Sequence, residues 1–192
     1  MAQQASGPPG GPPWGDRAVW DEVNRSIAWL VSRHAVAMAP LMETARAVRR
    51  RLVWTAALLE DLCRRTCMHC PEPCCLGARI WFDTADLLVL HLAGLTVPEA
   101  QPISSRDAVC RYWSPRGCRL ERLSRPWICT WYLCPPQTAI LRGGDGAAYA
   151  EVSRIFAEIK SLRRSLEEGF VRVTSGTKRP PGTAAEAGSQ AA

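Results

Sequence analysis

From Asp16 onward, Trp20, Val23, Ile27, Leu30, His34 and Met38 recur at spacings of three and four, a largely apolar stripe. That period is helical, so the stretch predicts an amphipathic helix. Pro40 suits a first helical turn but not an interior, and is expected to end this helix or open the next. A second run follows through Leu41, Ala45, Val48, Leu52, Ala56, Leu59 and Cys63. Two helices joined by so short a break predict an antiparallel hairpin over 16–62. A third stripe, Val152, Ile155, Phe156, Ile159, Leu162 and Leu166, predicts a C-terminal helix over 146–172. A turn at Gly143-Gly144-Asp145-Gly146 introduces it.

Between these stripes the pattern is irregular. Arg79-Ile80-Trp81-Phe82 reads as a strand or extended segment, after which Asp83 or Thr84 caps a helix carrying Leu87, Leu88, Leu90 and Leu92 that stops near Gly94. Pro126 stands where a further helical turn would start, ahead of Trp127, Ile128, Cys129, Trp131 and Tyr132. Residues 1–15 (Gly/Pro/Gln-rich) and 173–192 (Thr/Gly/Ala/Pro-rich) carry too little apolar surface to offset the entropy of ordering, and read as disordered tails. The fold class is therefore mostly α: a helical hairpin and a C-terminal helix flanking an irregular cysteine-rich module over 63–136, with little β structure.

Composition changes that picture at one place. The chain has 192 residues, 47% hydrophobic and 22% charged, an ordinary globular profile. All nine cysteines, however, lie between Cys63 and Cys134. The N-terminus lacks the basic, apolar and small-residue regions of a secretory signal, and no apolar run approaches the roughly 18 residues of a membrane span. A cytoplasmic location is therefore expected, where thiols stay reduced and clustered cysteines bind metal or do redox work in preference to forming a disulfide framework. The net charge of +6 is almost wholly arginine, with Lys160 and Lys178 the only lysines, and matches biased codon usage. Arg49-Arg50-Arg51 reads as a solvated face, since no reading helix or partner motif accompanies it; nucleic acid is not the expected partner. A protein partner through the amphipathic helices is compatible with the pattern.

The first cysteine block runs Cys63-Arg-Arg-Thr-Cys67-Met-His-Cys70-Pro-Glu-Pro-Cys74-Cys75. A Cys-x-x-Cys knuckle such as Cys67/Cys70 turns two thiolates to one side, and two such groups close a tetrahedral zinc site or hold an iron–sulfur cluster. The second block is looser: Cys110, Cys118, Cys129 and Cys134. Neither block closes a site alone, so ligands from both are expected to meet in space.

Taken in order, Cys67 to Cys75, the strand and helix ending in Gly94-Leu95, and the Cys110…Gly117-Cys118…Arg125-Pro126-Trp127-Ile128-Cys129 segment resemble the YkgJ-type cysteine-cluster family. In that family the vicinal pair commonly follows the knuckle after two residues; here three intervene. The resemblance covers about a third of the chain and implies zinc or iron chelation, with Cys67, Cys70, Cys74, Cys75, Cys110, Cys118, Cys129 and Cys134 as metal ligands. A similar block is associated with flagellin lysine methylases, so the alternative is an iron–sulfur redox enzyme or a methyltransferase-like enzyme. Cys63 lies outside the carried-over positions, and its place on an apolar stripe predicts a buried thiol.

Other signals are weaker. Cys63-x-x-x-Cys67-x-x-Cys70 has the three-cysteine spacing of radical SAM enzymes, but it follows a helix in a chain shorter than the ~250 residues of a full barrel. His69 is expected to point away from the knuckle, and His34 and His91 read as packed side chains. Asp83, Asp86 and Glu121 stand near the cysteines in sequence without a nucleophile motif. Trp81, Trp113, Trp127, Trp131 and Tyr132 are expected to shield the module.

Overall fold

The protein is described by a computed structural model, which covers residues 11–77, 79–143 and 146–176. The sequence-predicted tails beyond residues 11 and 176, and Gly144-Asp145 of the predicted turn, lie outside the described residues. The architecture is mostly α, as expected. Helices α1 (Arg17–Arg33), α2 (Ala35–Thr66), α3 (Cys74–Gly77), α4 (Thr84–Leu92), α5 (Ile128–Trp131), α6 (Pro135–Arg142) and α7 (Ala147–Thr174) follow in order. The one sheet among the described residues is a two-stranded antiparallel ribbon, β1 (Trp113–Ser114) with β2 (Gly117–Cys118).

Local chemistry explains the boundaries. Asp16 caps α1 by accepting from Ala18 and Val19 N–H. The break to α2 falls at His34, not at Pro40, which lies inside α2. Pro40 is tolerated there because the carbonyl it leaves without a helical donor belongs to Val36, which is 92% exposed and open to water. Helix α4 begins with a reciprocal capping box between Asp83 and Asp86. It ends where Gly94 takes φ +63° and Leu95 N–H returns to the Leu90 carbonyl, the Schellman arrangement. Ile80 and Phe82 are buried but not in a strand: the Gln101 side chain accepts from Phe82 N–H and donates to its carbonyl, doing the work of a neighbouring strand.

The core forms where α2, α4 and α7 meet, with Trp20 and Ile27 of α1 added from the side. Met38, Ala45 and Val48 of α2 join Leu87, Leu88 and Leu92 of α4 and Ile155, Ile159 and Leu166 of α7. Gly169 lets α7 approach α2, since a Cβ there would run into the Leu41 side chain. A smaller cluster of Leu59, Leu62 and Leu141 pins the C-terminal end of α2 against α6. Helix α6 was not expected from the apolar pattern. Residues 11–15 are also not tail-like: Pro13 carbonyl accepts from Gln101, and Trp14 packs against the core.

One polar network crosses this core. Arg163, with 8% of its side chain exposed, donates to Asp86 at 2.6 Å and to both oxygens of Asp83 at 2.7 and 2.8 Å. Asp86 also accepts from Trp127 N–H at 3.0 Å. Burial pushes the Asp86 carboxyl up to about 7, against the downward pull of Arg163.

Arg163→Ala would leave Asp86 buried without its cation, and is expected to cost on the order of 3–5 kcal/mol at pH 8. Below the raised Asp86 value the folded protein carries the carboxyl protonated, so there is less charge for Arg163 to compensate. The deficit must therefore shrink as pH falls from 8 to 5. Urea denaturation of both proteins at the two pH values measures it; an equal deficit at both would reject this account.

Candidate metal centre

The cysteine module is built on the end of α2, on two short turns and on the segment between the ribbon and α6. Cys63 occupies the last turn of α2, and Cys67 follows as the helix gives way to a 3-10 turn over Cys67–His69. Four residues apart on one helical face, the two thiols lie close enough to act on each other's proton affinity. Cys70 closes that turn with its N–H on the Cys67 carbonyl, 3.4 Å away. Cys74 and Cys75 open α3 and likewise act on each other's proton affinity. Cys67, Cys70 and Cys74 are exposed.

The second block is held more firmly. Cys110 is buried, and its N–H donates to the Cys75 carbonyl at 3.1 Å, which ties the two blocks together. The ribbon pairs Trp113 with Cys118, and Gly117 at its turn takes φ +107°, a conformation that glycine adopts without penalty. Burial first, and then the nearby Cys118, Cys110 and Cys74 thiolates, push the Cys129 thiol far up. So five of the eight predicted ligands (Cys74, Cys75, Cys110, Cys118 and Cys129) share one electrostatic neighbourhood. Cys134 serves locally: its thiol accepts the Gln137 N–H, and its own N–H donates to Gln137 Oε1 at 3.4 Å, capping α6.

Cys63 is where the sequence reading needs correcting. It is half-buried, not sealed in the core, and it belongs to the thiol cluster. Arg122 Nη2 lies 3.2 Å from its sulfur, while Arg122 Nε donates to Glu60 at 3.0 Å and Nη1 to the Cys129 carbonyl at 3.4 Å. Gln137 Nε2 stands 3.8 Å from Cys63 Sγ and 3.7 Å from Cys67 Sγ. The neighbouring Cys67 thiol, with help from Arg122 and Arg125 against burial, draws the Cys63 thiol down to about 6, while Cys63 and burial push the Cys67 thiol up. Likewise the neighbouring Cys75 thiol draws Cys74 down to about 6. The 59-residue separation of Cys63 and Arg122 carries no signal for their contact; a helical register extended past Leu59 to Cys67 does place the two thiols on one face.

The remaining candidates are accounted for by packing. Asp83 and Asp86 are engaged by Arg163. The cavity beside Asp86, Arg163, Trp127 and Thr130 holds about 20 Å³, room for a water and not for a substrate. His91 bonds Asn24 of α1 at 2.9 Å, and burial lowers its pKa, as for a packed neutral histidine. His69 is exposed. The aromatics shield the module only in part: Trp127 stacks edge-on against Phe156 at 5.5 Å, but Trp131 and Tyr132 are 43% and 48% exposed. Of the arginine run, Arg51 pairs with Glu158 of α7 at 2.6 Å, and Arg49 and Arg50 are exposed.

In kind, the donor set suits a thiophilic metal: nine free thiols in one region, with a guanidinium beside them. As the side chains stand, no three cysteine, histidine or carboxylate groups among the described residues converge enough to hold one ion. No described helix is long and apolar enough to cross a membrane. No protein-family model, curated protein or solved structure matches the chain.

In the reduced, metal-free protein, replacing Arg122 with Met removes a cation beside Cys63. The pH midpoint for alkylation of Cys63 should then rise, by on the order of one unit. Peptide mapping after pulse labelling with iodoacetamide measures it, and an unchanged midpoint would show that Arg122 does not act on that thiol.

Proposed function

We propose that this chain is a metal-binding protein that holds zinc or an iron–sulfur cluster through its cysteine cluster. The observation that carries the reading is the gathering of thiols with no other employment. Burial raises the Cys110 and Cys129 thiols, the Cys74 contact and burial raise Cys75, and neighbouring thiolates add to each rise, which is unfavourable unless a cation shares the site. Cys67, Cys70 and Cys74, on short turns at the surface, supply further thiolates. The resemblance of this segment to the YkgJ-type family supports the same chemistry. Bound zinc would fix the turns that carry its ligands; a bound iron–sulfur cluster would supply one-electron chemistry. The residues' own part is to present thiolates and to place Arg122 and Arg125 beside them, where cationic side chains offset the negative charge of a multi-thiolate site. A cytoplasmic setting, which keeps the thiols reduced, belongs to this reading.

The test is metal and sulfide analysis, with a visible spectrum, on protein purified without oxygen. Zinc in a colourless solution would support a structural site. Iron and acid-labile sulfide in comparable amounts, with a broad band near ~400 nm that bleaches on reduction, would support the cluster. Protein that carries neither, and takes up neither when offered under reducing conditions, would defeat the reading.

A further inference from the structure

Packing does not account for two aromatic side chains that follow Cys129. Trp131 and Tyr132 are 43% and 48% exposed and stack edge-on against each other, ring centres 6.2 Å apart. Large amphipathic rings left at the surface are enriched where something docks. Tyr132 also lines a groove of about 630 Å³, open to solvent, whose other walls are Leu133, Pro135, Thr138, Ala139 and Arg142. That volume lies in the range of small-molecule sites, whereas the cavity beside Asp86 admits only a water.

The groove is built from one continuous stretch, so its shape is set locally. Tyr132 N–H closes α5 on the Ile128 carbonyl at 3.3 Å, and the Thr138 hydroxyl donates to the Leu133 carbonyl at 3.4 Å. Pro135 opens α6 with a rigid ring. The chemistry of the lining is one-sided. Tyr132, Leu133, Pro135 and Ala139 offer apolar surface, and the one charge is a cation, Arg142. Its guanidinium lies over the Tyr149 ring, 4.4 Å from the centre, which fixes its plane. Arg122, Arg125 and Arg163 are all held by carboxylates, but among the described residues Arg142 is not.

We propose that this groove binds a small organic acid that carries an aromatic ring and a carboxylate. The ring lies against Tyr132, Leu133 and Ala139, and the planar carboxylate takes the Arg142 fork in two parallel N–H···O bonds. An oriented cation beside apolar surface selects this class over an amine, which Arg142 repels, and over a neutral ring, which gains nothing from the guanidinium. One ring is the right size. The rise from Thr138 to Arg142 is about 6 Å along the helix, the span of a ring with a short carboxylate arm. Metal binding is not required for it.

Titration of the full chain with hydrocinnamate, followed by the Trp131 indole N–H resonance and by saturation transfer from protein to ligand, tests the site. Saturable binding is expected, with hydrocinnamide and acetate each at least about tenfold weaker. Arg142→Gln and Tyr132→Ala alter exposed side chains and should leave the far-UV circular dichroism unchanged. Each should weaken the acid at least about tenfold, and Arg142→Gln should also abolish the preference for acid over amide. Equal affinity for acid and amide, or full affinity for the acid in Arg142→Gln, would overturn the assignment. So would the absence of saturable binding to the unaltered chain. Should either variant misfold, the comparison of acid with amide on the unaltered chain still decides.

Discussion

Arg163 leaves α7 at a position where its neighbours in register, Ile159 and Leu166, are fully buried, and it meets Asp83 and Asp86 at the start of α4. Those two carboxylates already close the capping box of α4, so one pair of acids both starts a helix and binds a second helix to it. Asp86 then accepts the Trp127 N–H, and the Arg163 guanidinium lies 5.6 Å from the centre of the Trp127 ring. Cys129 stands two residues further on. Three elements far apart in sequence are therefore fixed by one buried cation, and the second cysteine block takes its position from it. A buried ion pair of this kind adds little to stability compared with an apolar replacement, but breaking it is costly, which makes it a device for holding one arrangement.

A second clamp acts from the opposite side. Glu60 on α2 binds Arg122 at 3.0 Å and Arg125 at 2.9 Å, and those side chains are only 8% and 11% exposed. The 122–129 segment is thus gripped between α2 at one end and the α4–α7 pair at the other. Cys129 sits on this gripped stretch, and Cys63 faces it from α2. Cys67, Cys70 and Cys74 do not: they occupy short turns whose own hydrogen bonds are few and local. The fold pre-positions one part of the thiol set and leaves the other on short surface turns.

Much of this could be read before any coordinates. The stripes of α2 and α7, the Asp83 cap and the Gly94 stop of α4 follow from period and capping chemistry, because those signals are local. The failures are of a different kind. The helix break at His34 depends on an exposed carbonyl tolerating Pro40, which no periodicity expresses. Helix α6 carries little periodic signal because its apolar face is short, although Cys134-Pro135-Pro136 is a legitimate start. Cys63 continues the apolar stripe and so reads as a core residue, but the last turn of α2 presents it to Arg122. Arg163 was legible in principle: an arginine in the register of Val152, Ile155 and Ile159 demands buried acids somewhere, and Asp83 and Asp86 at helix-cap spacing supply them.

The arginine bias of the chain acquires a meaning at these few positions. On the exposed face of α2, Arg49 and Arg50 could be lysine without structural consequence. At Arg122 the planar fork matters, since three nitrogens of one guanidinium serve Glu60, the Cys129 carbonyl and the Cys63 sulfur at once. Arg163 does the same with two carboxylates. A lysine ammonium is a point charge and cannot span such sites in a fixed plane. It would also be more readily neutralised when buried, which would remove the cation that the thiolates face. A compositional habit that says nothing about partners on the surface becomes, inside, the means by which α2, α4 and α7 are joined to the cysteine module.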